Sequence, residues 1–397
     1  MIFYELLITT ANILFGVCVL AIFHSYVLFP LILKTIALFH KKVPIKRDTT
    51  AKPPKVSILL SAYNEEDVIE EKIRSVYNTQ YPASQFELII GSDNSSDRTP
   101  EIIEKLKTEF PSIRFFSFNE RQGKPNVINK LVAEATGEIL ILTDANVIFD
   151  EDTLTGITGP FSNAKVGLVD TQMINLGMKK EGISFQEKAY ISREVRIKHL
   201  ESQLWGVMMG PFGGCFAIRK KLFEPIPPNF LVDDFYLNMK VFESGYQAVN
   251  NPDARVYEDV SNDLSIEFRR KIRIATGNFQ NLRRFIKLLS PARPALAFCF
   301  LSHKVLRWLG PVFLFLSFVS LLFLSVFSPV YRLFFFAFLG VLLIPAADYL
   351  LKKLNLHFRF LRFVTHFLGM NLALIIGMAR YLKGVKTNVW QPTKRHQ

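Results

Sequence analysis

Two short acidic stretches have residue types and spacings that could do chemistry. In the first, Ile139-Leu140-Ile141-Leu142-Thr143 runs into Asp144-Ala145-Asn146. An apolar run of this length, bounded by turn residues, reads as a buried strand. Asp144 then sits at the carboxyl end of a central strand, where open α/β sheets bind ligands. A carboxylate with an amide two residues on can hold Mg2+ or Mn2+ together with substrate phosphates. The same residue types also make ordinary turns. In the second stretch, Asp233-Asp234 precedes the apolar segment Phe235-Tyr236-Leu237. Acids at a helix start commonly cap it and complement its dipole. One of them, set against a hydroxyl, could equally act as a general base.

These residues need a scaffold, and the flanking sequence supplies one. Residues 55–61, 86–91, 113–116 and 139–142 read as strands. Between them, 68–77, a segment from Thr99 and a segment around 127–135 show helical apolar spacing, with Thr99 as cap and Pro100 at the first helical position. Repeated βα units predict an α/β fold with a Rossmann-like wound, mainly parallel sheet. Each strand ends in polar residues: Ala62-Tyr63-Asn64-Glu65, Ser92-Asp93-Asn94-Ser95, Arg121-Gln122-Gly123-Lys124, then Asp144 and Asn146. A wound sheet gathers these ends at one edge. The sequence contains neither G-x-G-x-x-G nor G-x-x-x-x-G-K-[ST], which excludes the usual dinucleotide fingerprint and the P-loop.

Ser61-Ala62-Tyr63-Asn64-Glu65-Glu66, Ser92-Asp93-Asn94-Ser95-Ser96-Asp97, Gly123-Lys124 and Thr143-Asp144-Ala145-Asn146 resemble, in order, the motifs of family 2 glycosyltransferases of GT-A fold. The resemblance covers about residues 54–275. It implies that Ala62, Tyr63, Glu65, Asp93, Lys124 and Asp144 bind a nucleotide-sugar, expected to be a UDP-sugar. It also implies that Asp144 and Asn146 stand where the family has its D-x-D metal motif, with Asn146 replacing the second acid. Asp234 matches the general base, with Asp233 beside it, and Gly214 falls on the acceptor side. Arg270 and Arg273 take the first and fourth places of the Q-x-x-R-W motif of polymerising members, and Ile274 replaces its tryptophan. Those arginines could clamp a diphosphate or bind anionic lipid head groups.

The remainder of the chain concerns the membrane. Of 397 residues, 49% are hydrophobic, and the net charge is +13. Mean hydropathy is +0.20. Three cysteines cannot make a disulfide framework and read as packing residues. The expected organisation is an N-terminal transmembrane helix in 1–40 and a glycosyltransferase domain in 50–265. A basic interfacial region in 266–303, transmembrane helices in 304–384 and a cytoplasmic tail in 385–397 follow. Lys41, Lys42, Lys46 and Arg47 after the first span put the N-terminus outside and the catalytic domain inside the cytoplasm. Leu309–Phe327 and Arg332–Leu351 are expected to cross, and Val364–Leu382 to be re-entrant or interfacial. The whole predicts a multi-pass protein of the bacterial inner membrane. It would add a sugar to a lipid-linked or growing glycan acceptor, with membrane lipids and no nucleic acid as partners. A processive polysaccharide synthase and an inactive nucleotide-sugar-binding protein are the alternatives.

Overall fold

A computed structural model describes residues 2–39, 53–176, 184–259, 264–354, 356 and 358–388. The chain divides into two compact units. One contains Ile36–Asp263, Arg283–Leu288 and Gly384–Gln397. The other contains Met1–Thr35, Leu264–Leu282 and Leu289–Lys383. The helix Leu264–Phe285 has its two ends in different units. The basic residues 41–47 and the tail beyond 388 lie outside the described residues.

The first unit is built on eight strands: β1 (Val56–Ala62), β2 (Phe86–Asp93), β3 (Ile113–Phe118), β4 (Ile139–Thr143), β5 (Val147–Phe149), β6 (Val166–Leu176), β7 (Cys215–Arg219) and β8 (Gln247–Asp259). Their order across the sheet is β3-β2-β1-β4-β7-β6-β8-β5. The four wound strands β3, β2, β1 and β4 pair parallel, with Ala62 opposite Ser92 and Leu60 opposite Thr143. The second half is mixed. β7 runs antiparallel to both neighbours, β6 pairs parallel with β8, and β5 closes the edge antiparallel to β8. Ile58, Leu59 and Leu60, and likewise Leu88, Ile89 and Ile90, are fully buried in the wound half. A parallel sheet covered on both faces requires apolar residues at successive positions rather than alternate ones. Helices Ile69–Tyr77, Thr99–Glu109 and Lys124–Glu134 alternate with these strands.

Thr99 does not cap its helix. The helix begins at Thr99, whose N–H is accepted by Asp97 Oδ1 at 3.0 Å. The Thr99 hydroxyl instead accepts the Glu65 N–H at 2.8 Å and so ties the loop after β1 to the loop after β2.

The second unit is helical. Ile2–Phe39, Pro329–Lys353 and Arg359–Leu382 are each long and apolar enough to cross a membrane. Gly310–Ser325, where a straight span over Leu309–Phe327 was expected, has only 16 residues. It counts as a crossing only when joined to Pro294–Trp308, from which it is bent by 61°. Arg359–Leu382 is one continuous helix of 24 residues, longer than the expected 364–382 segment and without a break. Two π-helical turns, His24–Leu28 and Phe300–Val305, meet inside this unit. His24 Nε2 lies 2.8 Å from Ser302 Oγ, and the Ser25 hydroxyl donates to Ser302 O at 2.8 Å.

Candidate active site at the strand ends

The carboxyl edge of the parallel strands holds a laced pair of loops. Asn64, left-handed at φ 52°, accepts the Ser96 N–H on Oδ1 at 2.8 Å. Glu66 N–H donates to Asp97 Oδ2 at 3.1 Å. Asn is among the few residues that take a left-handed conformation cheaply, so a short polar side chain there both makes the turn and braces its neighbour. Ala62 is buried.

Asp93 is almost fully buried and its two oxygens are committed. Oδ1 accepts the Gln122 N–H at 2.7 Å and Oδ2 the Gly123 N–H at 2.9 Å. Arg121 bridges this loop to the first one: its Nε is 3.4 Å from Asp93 Oδ2 and its guanidinium lies 3.2 Å from the centre of the Tyr63 ring. An aromatic ring under a guanidinium makes a flat, positive surface suited to a base or a phosphate. Gly123 takes φ 82°, and a Cβ there would strike the amide of Asn388, a buried residue of the C-terminal segment within this same unit.

Lys124 opens the helix Lys124–Glu134. Its Nζ donates to Asp144 Oδ1 at 2.6 Å and to Gly213 O at 3.4 Å. Burial works against this ammonium, but Asp144, Asp233 and Asp234 outweigh it and raise its pKa above the ordinary lysine range. Three predicted acids and the predicted lysine thus share one electrostatic neighbourhood. Asp144 N–H donates to Gly214 O at 2.9 Å, so Gly214 braces the metal-motif aspartate through its backbone. Asp233 and Asp234 form the first turn of the helix Asp233–Glu243. Asp234 Oδ1 accepts the Phe235 N–H at 2.7 Å. Its Oδ2 lies so near Gly213 that a Cβ there would approach to 2.5 Å, which explains a glycine at 213. Asp233 Oδ2 is buried without a hydrogen-bond partner.

Asn146 has a partner on the neighbouring strand. Its Nδ2 donates to Glu258 Oε1, on β8, at 2.9 Å. The amide oxygen is what remains for a cation. Among the described residues no three His, Cys, Asp or Glu side chains cluster as a metal cage. Mg2+ needs no such cage when one or two carboxylates and substrate phosphates complete its shell. Asp144 and the Asn146 oxygen fit that minimal donor set. Arg270 and Arg273 lie on Leu264–Phe285, in the helical unit, where Arg270 Nη1 is 3.6 Å from Glu267 Oε1.

Three residues outside the predicted set belong to this site's support. Glu258 comes from β8, the strand that pairs with β5, and the sequence carries no sign of its pairing with Asn146. Asp170 is fully buried and accepts Lys198 Nζ at 2.6 Å and the Phe212 N–H at 2.6 Å, which anchors the loop carrying Gly213 and Gly214. Lys72 stands at the same helical spacing as Ile69, Ile73 and Val76, a lysine on an apolar face, and that signal was legible. It is fully buried, and burial pulls its pKa down to about 7 against the opposing pull of Asp144.

The comparisons with known proteins agree with this geometry. Residues 57–226 match the family described as Glycosyl transferase family 2. The Bacillus subtilis (strain 168) protein named "Probable glycosyltransferase YdaM" is 26% identical over 263 residues, 62% of this chain and 61% of that protein. Beta-monoglucosyldiacylglycerol synthase of Trichormus variabilis is 31% identical over 171 residues, 43% of this chain and 36% of that one. The chain therefore matches less than two thirds of the length of either relative. A solved structure, "Mannosyltransferase PcManGT from Pyrobaculum calidifontis in complex with GDP-Man and Mn2+", superposes with a TM-score of 0.72 at 22% identity, over 94% of this chain and 99% of that one. That likeness speaks to the fold. With four motifs at one sheet edge, residues 57–226 are a glycosyl transferase family 2 match and the sheet unit that holds them has the GT-A fold.

Proposed function

We propose that this protein is a membrane-bound, inverting glycosyltransferase that moves one sugar from a nucleoside diphosphate sugar to a hydroxyl of a lipid acceptor. The observation that carries the reading is the Lys124–Asp144 pair at 2.6 Å, with Asp233 and Asp234 in the same field. A fixed ammonium beside a carboxylate at a sheet edge suits a diphosphate whose charge grows as it leaves.

In this reading the base of the donor lies on the Tyr63–Arg121 surface, and its phosphates reach Lys124 and Asp144. Asp234 takes the proton of the acceptor hydroxyl. The hydroxyl oxygen attacks the anomeric carbon from the face opposite the diphosphate. The bond from that carbon to the phosphate oxygen breaks, and the nucleoside diphosphate departs with the electron pair. Lys124 meets the charge that develops. A divalent cation held by Asp144 and the Asn146 oxygen would add Lewis-acid stabilisation of the same leaving group. Three long apolar helices and the relative named beta-monoglucosyldiacylglycerol synthase support a lipid acceptor.

The test is a transfer assay with the full chain in detergent, using a panel of UDP- and GDP-sugars against diacylglycerol and polyprenyl phosphate, with Mn2+. Release of nucleoside diphosphate that depends on one acceptor is expected. No release or transfer with any pair would overturn the reading.

A further inference from the structure

Lys72 raises a question that the glycosyl-transfer reading leaves unanswered. It has no exposed surface, yet it carries an amine into the core beneath the site. Its Nζ donates to Thr143 Oγ1 at 2.9 Å and to Val147 O at 2.5 Å, and lies 3.6 Å from the centre of the Phe149 ring. Thr143 is the last residue of β4 and Val147 the first of β5. Between them lie only Asp144, Ala145 and Asn146, and the Val147 N–H donates back to Asp144 O at 3.3 Å. One side chain thus grips both ends of the turn that carries the two candidate cation ligands. From above, Gly214 O accepts both the Asp144 N–H at 2.9 Å and the Thr143 hydroxyl at 3.2 Å.

Stability does not account for this lysine. Taking an amine out of water is costly, and apolar side chains of similar volume commonly replace buried charges with little loss. A methionine at 72 would fill the same space against Ile69, Ile73 and Phe149. Fixing a short turn to within a fraction of an ångström is a different requirement, and opposed hydrogen bonds at its two ends meet it.

We propose that Lys72 is a positioning residue of the donor site, whose amine holds the Asp144–Asn146 turn in the shape that receives the donor diphosphate. The inference rests on the glycosyl-transfer reading, and its test separates the two. The full chain in detergent is titrated calorimetrically with UDP and with GDP, each with Mn2+, as the unaltered protein, Lys72→Met and Thr143→Val. Lys72→Met is expected to weaken nucleoside diphosphate binding by about ten-fold or more. Its thermal midpoint should stay within about 3 °C of the unaltered protein, the scale of a change below 1 kcal/mol. Thr143→Val, which removes one of the two acceptors, should weaken binding in the same direction by less. Affinity within about two-fold in both variants, against a binding unaltered chain, overturns the role of Lys72 and leaves the function standing. An unaltered chain that binds neither nucleotide overturns both. Should Lys72→Met not fold, Thr143→Val decides alone: weaker binding at an unchanged midpoint supports the role, and unchanged binding removes it.

Discussion

Asn146 spends its amide N–H on Glu258, 2.9 Å away, so the position where family members carry a second acid faces an acid already in place. Glu258 is buried on β8, where it pairs with Val147, the residue after Asn146. An aspartate at 146 would set two carboxylates together, and like charges so close cannot both ionise without a cation between them.

Asn146→Asp is therefore expected to lower stability by about 1–3 kcal/mol in a chelator, the cost of an unmet buried polar group. Mn2+ should restore it, and apparent Mn2+ affinity should rise. Thermal unfolding with and without Mn2+ checks this. A midpoint that Mn2+ raises no further in the variant than in the parent would refute the idea.

Asp234→Asn should cut turnover by roughly 100-fold or more while leaving nucleoside diphosphate binding nearly intact, because the proton transfer is lost and the donor contacts are not. The amide keeps an oxygen for the Phe235 N–H, so the helix start survives. Steady-state kinetics beside calorimetry separates the two effects, and unchanged turnover removes Asp234 from the role.

Glu87 gives a prediction in pH. Burial pushes its carboxyl up, but hydrogen bonds from Ser57, from the N–H and hydroxyl of Thr136 and from Arg114 outweigh burial and hold it below the usual range. A pKa lower in the folded state means that the unfolded chain binds the proton first. The stabilisation is then complete above the unfolded value of about 4.3 and fades as pH falls through the folded one. Glu87→Gln should flatten the acid limb of a stability-against-pH curve between about pH 5 and 3. A curve of unchanged slope would exclude Glu87 from that limb.

The parts of this fold legible in the sequence are the ones made by neighbours along the chain. β1, β2 and β4 are mainly apolar runs, Asp144 follows β4 directly and Lys124 opens the helix after β3, so strand ends and candidate ligands could be placed together. The mixed half of the sheet was hidden because β7 inserts antiparallel between β4 and β6, a choice that no local pattern encodes. The partner of Asn146 was hidden for the same reason: Glu258 is 112 residues away. Asp93 was read correctly as belonging to the strand-end cluster, but its spacing could not say that the Gln122 and Gly123 N–H groups occupy both its oxygens.

The packing of Asn388 against Gly123 puts a parity rule on the membrane crossings. The segment that starts after β8 leaves the sheet unit and, by Gly384, has rejoined it. A chain that returns to the side it left crosses an even number of times. Three elements lie between: the bent pair Pro294–Trp308 and Gly310–Ser325, then Pro329–Lys353, then Arg359–Leu382. On the proposed membrane-bound reading, one of them is expected not to cross. Arg359–Leu382 is the one that carries Arg362, His366, Asn371 and Arg380, and its Tyr381 stacks on Phe279 of the basic helix at 6.2 Å. Charged residues are costly in lipid, and on the proposed membrane-bound reading Lys352, Lys353, Arg359 and Arg362 are expected to keep the preceding turn on the cytoplasmic side. We therefore propose this helix as the one lying along the surface. Single cysteines at Phe327, Leu356 and Lys386, in a chain freed of Cys18, Cys215 and Cys299, report the sides. An impermeant reagent outside intact cells should label 327 and spare 356 and 386. Labelling of 356 with silence at 327 would give the non-crossing place to the bent pair instead, and labelling of 386 would break the parity itself.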